Sequence, residues 1–144
     1  MAITQAMCTS FKVGILDAAF DFGTGTTQVF KIALFTSSAT LSAATTAYST
    51  SNEVSGTGYS AGGNILVVSQ IPTSTGTTAF LDFSDTTWTT ATITARGALI
   101  YLANGTTNPA VAVLDFGGDK TSTAGNFTIQ FPAADATNAI LRIA

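Results

Sequence analysis

Residues 88–120 read WTTATITARGALIYLANGTTNPAVAVLDFGGDK, and the way that stretch divides decides the fold. Two apolar runs, 98–103 and 110–116, flank a polar turn made of Asn104, Gly105, Thr106, Thr107, Asn108 and Pro109. Short apolar runs bounded by Gly, Asn and Pro are the pattern of strands covered on both faces. Asn-Gly supplies the positive-φ residues of a tight reversal, and Pro109 closes the loop where no donor is required. The stretch therefore predicts a central hairpin that carries the densest part of the core. Arg96 stands just before the first run and is expected to pair with Asp115 or Asp82, or to reach across an interface.

The segments on either side carry the same punctuation. Residues 29–36 and 65–71 read as strands, the second ended by Pro72, and 79–83 alternates about Phe80 and Asp82. Residues 92–96 lead into the hairpin, and 126–131 alternates cleanly, with Phe127, Ile129 and Phe131 directed inward. Residues 139–144 close the chain as a terminal strand. Only 4–19 has a helical rhythm, with Met7, Phe11, Ile15 and Ala18 on one face and Gly14 weakening it. Strands joined by turns, with no helix between them, predict an all-β fold: an antiparallel β-sandwich or barrel (jelly-roll-like) of about 7–8 strands. No internal repeat or composition break divides it, so 1–144 is read as a single domain, with 1–22 as a short N-terminal helix or arm.

The composition narrows the function classes. Charged residues make up 9% of the chain, against roughly 25% in ordinary soluble domains, and Ser and Thr fill the exposed positions instead. A net charge of −3, with Lys12, Lys31, Arg96, Lys120 and Arg142 scattered, leaves no basic stripe for a nucleic acid. No apolar run approaches the ~20 residues of a spanning helix, and no amphipathic segment marks a membrane surface. The start lacks the order of a secretory signal, because Lys12 follows the apolar residues, so assembly in a cytoplasm is expected. The single Cys8 excludes an intrachain disulfide framework.

Chemistry-bearing residues are few. The chain has no His, which removes the commonest general base and metal ligand and every Ser–His or Cys–His pair. The remaining carboxylate pairs, Asp17 with Asp21, Asp82 with Asp85 and Asp115 with Asp119, lack the alternating oxygen ligands of a calcium loop and read as strand-end or turn-capping groups. No catalytic, cofactor or metal residue is assigned, and an enzyme is not expected. The glycine-rich stretch NEVSGTGYSAGGN lacks the Lys-Ser/Thr and the strand-to-helix junction of a phosphate cradle, and reads as a surface or contact loop. Trp88, near Phe80 and Phe83, reads as core or interface packing, with a sugar platform as the alternative. Asn104-Gly105-Thr106 and Asn126-Phe127-Thr128 match the glycosylation pattern by chance in so Thr-rich a chain.

Four segments carry a resemblance: MAITQAMCTSFKVGIL (1–16), NEVSGTGYSAGG (52–63), TTWTTATITARGALIY (86–101) and AVAVLDFGGDKTSTAGNFTIQFPAADATNAILRIA (110–144). They resemble a family of small structural proteins of tailed bacteriophages, some of which look like capsid decoration (cement) proteins of cyanophages. Residues 36–51 add nothing to it. The resemblance implies a β-rich subunit present in many copies on a virion, assembled in the host bacterial cytoplasm and without a catalytic motif. Its expected partners are the major capsid protein and itself, as a homodimer or homotrimer. A place in the tail or neck, as a tube, adaptor or fibre-associated subunit, is the alternative, and a carbohydrate-binding module the third reading. Contacts are expected from residues 2–22 and 37–63, and the residues singled out for them are Met7, Phe11, Asn52, Glu53, Tyr59, Trp88 and Arg96.

Overall fold

The computed structural model describes residues 2–144. Its spine is the expected hairpin, which extends well past the apolar runs that announced it. The elements run β1 (Ala6–Met7), α1 (Thr9–Leu16), β2 (Phe30–Phe35), β3 (Asn64–Leu66), β4 (Val68–Thr75), β5 (Thr78–Phe83), β6 (Thr86–Leu102), β7 (Ala110–Ile129) and β8 (Leu141–Ile143). They form a five-stranded sheet in the order β1-β7-β6-β2-β3 and a three-stranded sheet in the order β4-β5-β8, with every ladder antiparallel. Leu81, Phe83 and Leu141 of the smaller sheet bury into the same cluster as Ile32, Leu34, Leu99 and Val113 of the larger one. The fold is an all-β sandwich with one short helix.

Residues 92–96 and 126–131 are not separate strands. They belong to β6 and β7, which continue from the core as a two-stranded ribbon pairing Thr86 with Ile129 and Trp88 with Phe127. Alternation explains the continuity: Trp88, Ala91, Ile93, Phe127 and Ile129 are buried, while Thr87, Thr92, Thr94 and Thr128 face outward. Hydroxyl pairs cross the ribbon from Thr87 to Thr128 and from Thr94 to Thr121, both at 2.8 Å. The ladder is interrupted by register shifts, and Thr90 and Ala124, at φ 49° and 48°, sit at two of them.

The single strand expected at 65–71 divides into β3 and β4, which belong to different sheets. Pro72 lies inside β4 instead of ending it. An edge strand accommodates proline where the ladder is out of register, and the β4–β5 pairing shifts between Gln70 and Thr73. The N-terminal helix is shorter than its periodicity suggested, because Met7 pairs with Ala112 in β1 before α1 begins. Ala18 lies beyond the helix in a left-handed conformation, exposed rather than on the buried face. Gly14 makes room for Phe20: a Cβ there would run into the Phe20 ring, which would have to shift. Phe20 meets Phe11 edge-on at 4.8 Å, and Phe22 stacks on Phe30 at 4.2 Å and meets Phe83 at 6.2 Å. These rings fasten the helix to both sheets.

Residues 36–63 contain no named strand, yet main-chain bonds tie them down at intervals along their length. Leu41 N–H donates to the Ala2 carbonyl and Thr4 N–H to that of Leu41, while Thr9 N–H reaches Ala43. Tyr48 N–H reaches Asn108, Ala110 N–H reaches Thr46, and Thr92 N–H reaches Thr57. The segment is a strap that crosses one end of the sheet and then covers one edge of the ribbon. Buried backbone groups need such partners, so bonds made by the main chain replace the large apolar side chains the strap lacks. Among the described residues, no helix is long and apolar enough to cross a membrane.

Candidate partner-contact surface

The strap is held at its centre by Glu53. One carboxylate oxygen accepts the Tyr48 hydroxyl at 2.7 Å; the other accepts the Tyr59 hydroxyl at 2.6 Å and the Gly62 N–H at 2.8 Å. Tyr59 Oη also accepts the Leu34 N–H at 2.9 Å, and Tyr101 donates to the Gly62 carbonyl at 2.7 Å. Tyr48 and Tyr101 stack with centroids 4.4 Å apart, and Tyr59 leans on Trp88 at 5.8 Å. Burial, the bond to Glu53 and its negative charge push the Tyr48 and Tyr59 phenols far above their ordinary range, although the Leu34 N–H opposes this at Tyr59. Burial first, then the Glu53 charge, pushes Tyr101 up to about 12. The phenols stay protonated and donating, so the chemistry of this node is fastening.

The residues singled out from the sequence therefore fall into two groups. Phe11 and Trp88 are 2% and 4% exposed and fill the core of their own chain, so neither offers a contact surface. Trp88 packs against Phe127 as well as Tyr59, which removes it as a sugar platform. Glu53 and Tyr59 are half-buried and occupied by each other. Met7 is half-buried in β1. Asn52 is exposed at φ 61°, and its carbonyl accepts both the N–H and the hydroxyl of Thr36. Arg96 takes the intramolecular option: its Nε donates to Asp115 Oδ1 at 3.3 Å. The Gly117 N–H, then Arg96, hold the Asp115 carboxyl below its usual range.

The carboxylates divide in the same way. Asp21 accepts the Gly23 N–H at 2.8 Å, as a turn-capping group does, whereas Asp85 makes a long-range tie, accepting the Phe131 N–H at 2.8 Å. Asp82 corrects the expectation of a solvated strand end. It is 6% exposed, and its Oδ1 has no hydrogen-bond partner among the described residues. Burial pushes its carboxyl up, the Phe83 N–H opposes that, and the Asp85 charge adds to it. Cys8 is wholly buried, and burial pushes its thiol up to about 11. Asn104 is consumed by its own turn, its Oδ1 accepting the N–H groups of Thr106, Thr107 and Asn108. Among the described residues, no group of three or more His, Cys, Asp or Glu side chains is placed to hold a metal ion.

Sequence reasoning missed an open groove of about 570 Å³ beside β7, lined by Phe116, Phe127, Phe131 and Pro132 together with Asp115 and Gln130. It adjoins the edge of β7 that β1 leaves uncovered, since β1 pairs only with Ala112 and Val113. The alternation of 126–131 was readable, but the extra residues 116–119 that break the β7 register were not. The chain matches no protein-family model, no curated protein and no solved structure.

Proposed function

We propose that the chain is a structural subunit of a tailed-bacteriophage virion, a decoration protein seated on the outside of the head and bridging neighbouring major capsid subunits. The observation that carries this reading is the outer face of the β6–β7 ribbon. Thr87, Thr89, Thr92 and Thr94 of β6 and Thr121, Thr123 and Thr128 of β7 are exposed along it. Two cross-strand hydroxyl pairs hold this uncharged face in a fixed conformation, and the Phe116–Phe131 groove supplies an apolar anchor beside it. A rigid face loses little conformational entropy on docking. Repetition over a lattice then turns modest single contacts into firm attachment. The resemblance of residues 1–16, 52–63, 86–101 and 110–144 to phage structural proteins supports the same reading.

The test is co-sedimentation of purified protein with phage heads that lack it and, separately, with isolated tails. Saturable binding to heads at a stoichiometry tied to the capsid lattice is expected. Thr94→Arg with Thr121→Arg is expected to abolish it without changing the far-ultraviolet circular dichroism. Binding to tails alone would overturn the head assignment in favour of a tube, adaptor or fibre-associated role. Binding to neither would overturn the virion reading.

A further inference from the structure

The outward face of α1 carries two exposed apolar side chains flanked by opposite charges. At about 100° per residue, Val13 and Leu16 lie opposite the buried Phe11 and Gly14, with Lys12 on one flank and Asp17 on the other. Val13 is 56% exposed and Leu16 is 88% exposed, the highest value among the exposed large apolar side chains. Neither flanking charge has a salt-bridge partner among the described residues, where the Arg96–Asp115 pair is formed. Asp17 is also at the wrong end for the helix itself. It is the C-cap residue, where the negative pole of the helix dipole disfavours an anion.

Val13, Leu16 and Asp17 occupy positions a, d and e of one heptad, and Lys12 the g position that precedes it. In a parallel pair of helices, a meets a and d meets d along the seam, while g of one helix faces e of the other five residues on. Two copies related by a two-fold axis parallel to α1 would bury Val13 and Leu16 against their counterparts. The same operation places each Lys12 beside the opposite Asp17. A β-branched residue at a with Leu at d favours two helices over three.

We infer that the exposed face of α1 is a homodimer interface in which two helices pack in parallel, closed by reciprocal Lys12–Asp17 pairs. The inference stands apart from the virion reading, since it rests on α1 alone. One helix of eight residues covers much less than the roughly 1,200 Å² of a standard interface. The dimer is therefore weak, with a dissociation constant on the order of 100 μM.

Sedimentation equilibrium from about 10 μM to about 1 mM spans that value. The wild-type chain is expected to follow a monomer–dimer equilibrium, and Leu16→Glu to weaken it at least tenfold. Lys12→Glu and Asp17→Lys are each expected to weaken it severalfold, whereas the double reversal restores it, because the exchanged charges still oppose across the two-fold. All four positions are exposed, so folding is expected to be unaffected, with circular dichroism as the control. As an independent measurement, Val13→Cys is expected to form an intermolecular disulfide under mild oxidation, Cys8 being buried. A wild-type monomer throughout the range, a trimer, a dimer indifferent to Leu16→Glu, or a double reversal that fails to recover would each overturn the proposal.

Discussion

Replacing Glu53 is the sharpest test of the claim that a hydrogen-bonded node fastens the 36–63 strap. The carboxylate accepts three hydrogen bonds, from two phenols and one backbone amide. A bond to a charged acceptor contributes about 1.5–3 kcal/mol net, so three independent bonds would sum to roughly 4.5–9 kcal/mol. Two effects reduce the sum. Tyr48 is only half-buried, so water replaces part of its loss, and donors that share one carboxylate are not additive. Glu53→Ala is therefore expected to cost about 3–4 kcal/mol. In a chain of 144 residues that lowers the melting temperature by about 10 °C. Glu53→Gln keeps the shape but turns an amide NH₂ toward other donors, and is expected to cost about 2 kcal/mol. The assay is equilibrium urea unfolding followed by Trp88 fluorescence and circular dichroism, with a Glu53→Ala/Tyr59→Phe cycle to isolate the pair. A loss below about 1 kcal/mol for Glu53→Ala would refute the reasoning, because an ordinary point substitution costs that much without any node.

Alkaline unfolding should begin near the ordinary phenol pKa. Tyr48, Tyr59 and Tyr101 are raised above the ordinary phenol value of 10.0 in the folded chain, so their contribution is complete below that pH and is lost as pH rises past it, when only the unfolded chain releases protons. Urea midpoints at pH 8 and pH 11 check this, and Tyr48→Phe and Tyr59→Phe should flatten the difference. Gly63→Ala should be severely destabilising, since the residue sits at φ 72° and a Cβ would enter the Ile32 carbonyl; failure to lower the urea midpoint would contradict that approach. Trp88→Ala should cost about 3–5 kcal/mol as a core deletion, and the native tryptophan emission should be blue-shifted and resist acrylamide quenching. Cys8 should react with a thiol reagent only as fast as the chain unfolds, being buried with its thiol pushed up to about 11.

The hairpin was legible because its two halves change character at a turn whose chemistry is local: Asn104, Gly105 and Pro109 specify the reversal whatever surrounds them. Alternation made Phe127 and Ile129 readable as inward residues for the same reason. The division of 65–71 was hidden because β3 and β4 separate at one exposed residue, Val67, with no turn chemistry to mark it. The strap was hidden more deeply. Its low apolar content reads as a free loop, whereas its stability comes from main-chain bonds and one carboxylate whose partners lie up to nine residues away, one of which, Tyr59, accepts in turn from Leu34 on β2. Phe11 and Trp88 were singled out as contacts because an aromatic residue beside a polar stretch looks the same in sequence whether its partner is another chain or its own ribbon.

A surface this poor in charge requires another defence against indiscriminate edge pairing, and the sheets provide it with geometry. Exposed edge strands are templates for aggregation unless they are short, bulged, covered or interrupted by proline. Here β1, β3 and β8 are two or three residues long, and β4 carries Pro72 with two register shifts. The outer edge of β7 is broken where residues 116–119 leave the ladder and again at Ala124, and the Thr57 backbone caps part of β6 on the other side. Strand addition is therefore disfavoured around the whole perimeter. What the chain leaves open is its side-chain surfaces: the hydroxyl face of the ribbon, the groove beside it, and the Val13–Leu16 face of α1. Association through such surfaces is limited by complementarity of shape and charge. Contacts confined to such surfaces select their partner, which an open strand edge does not.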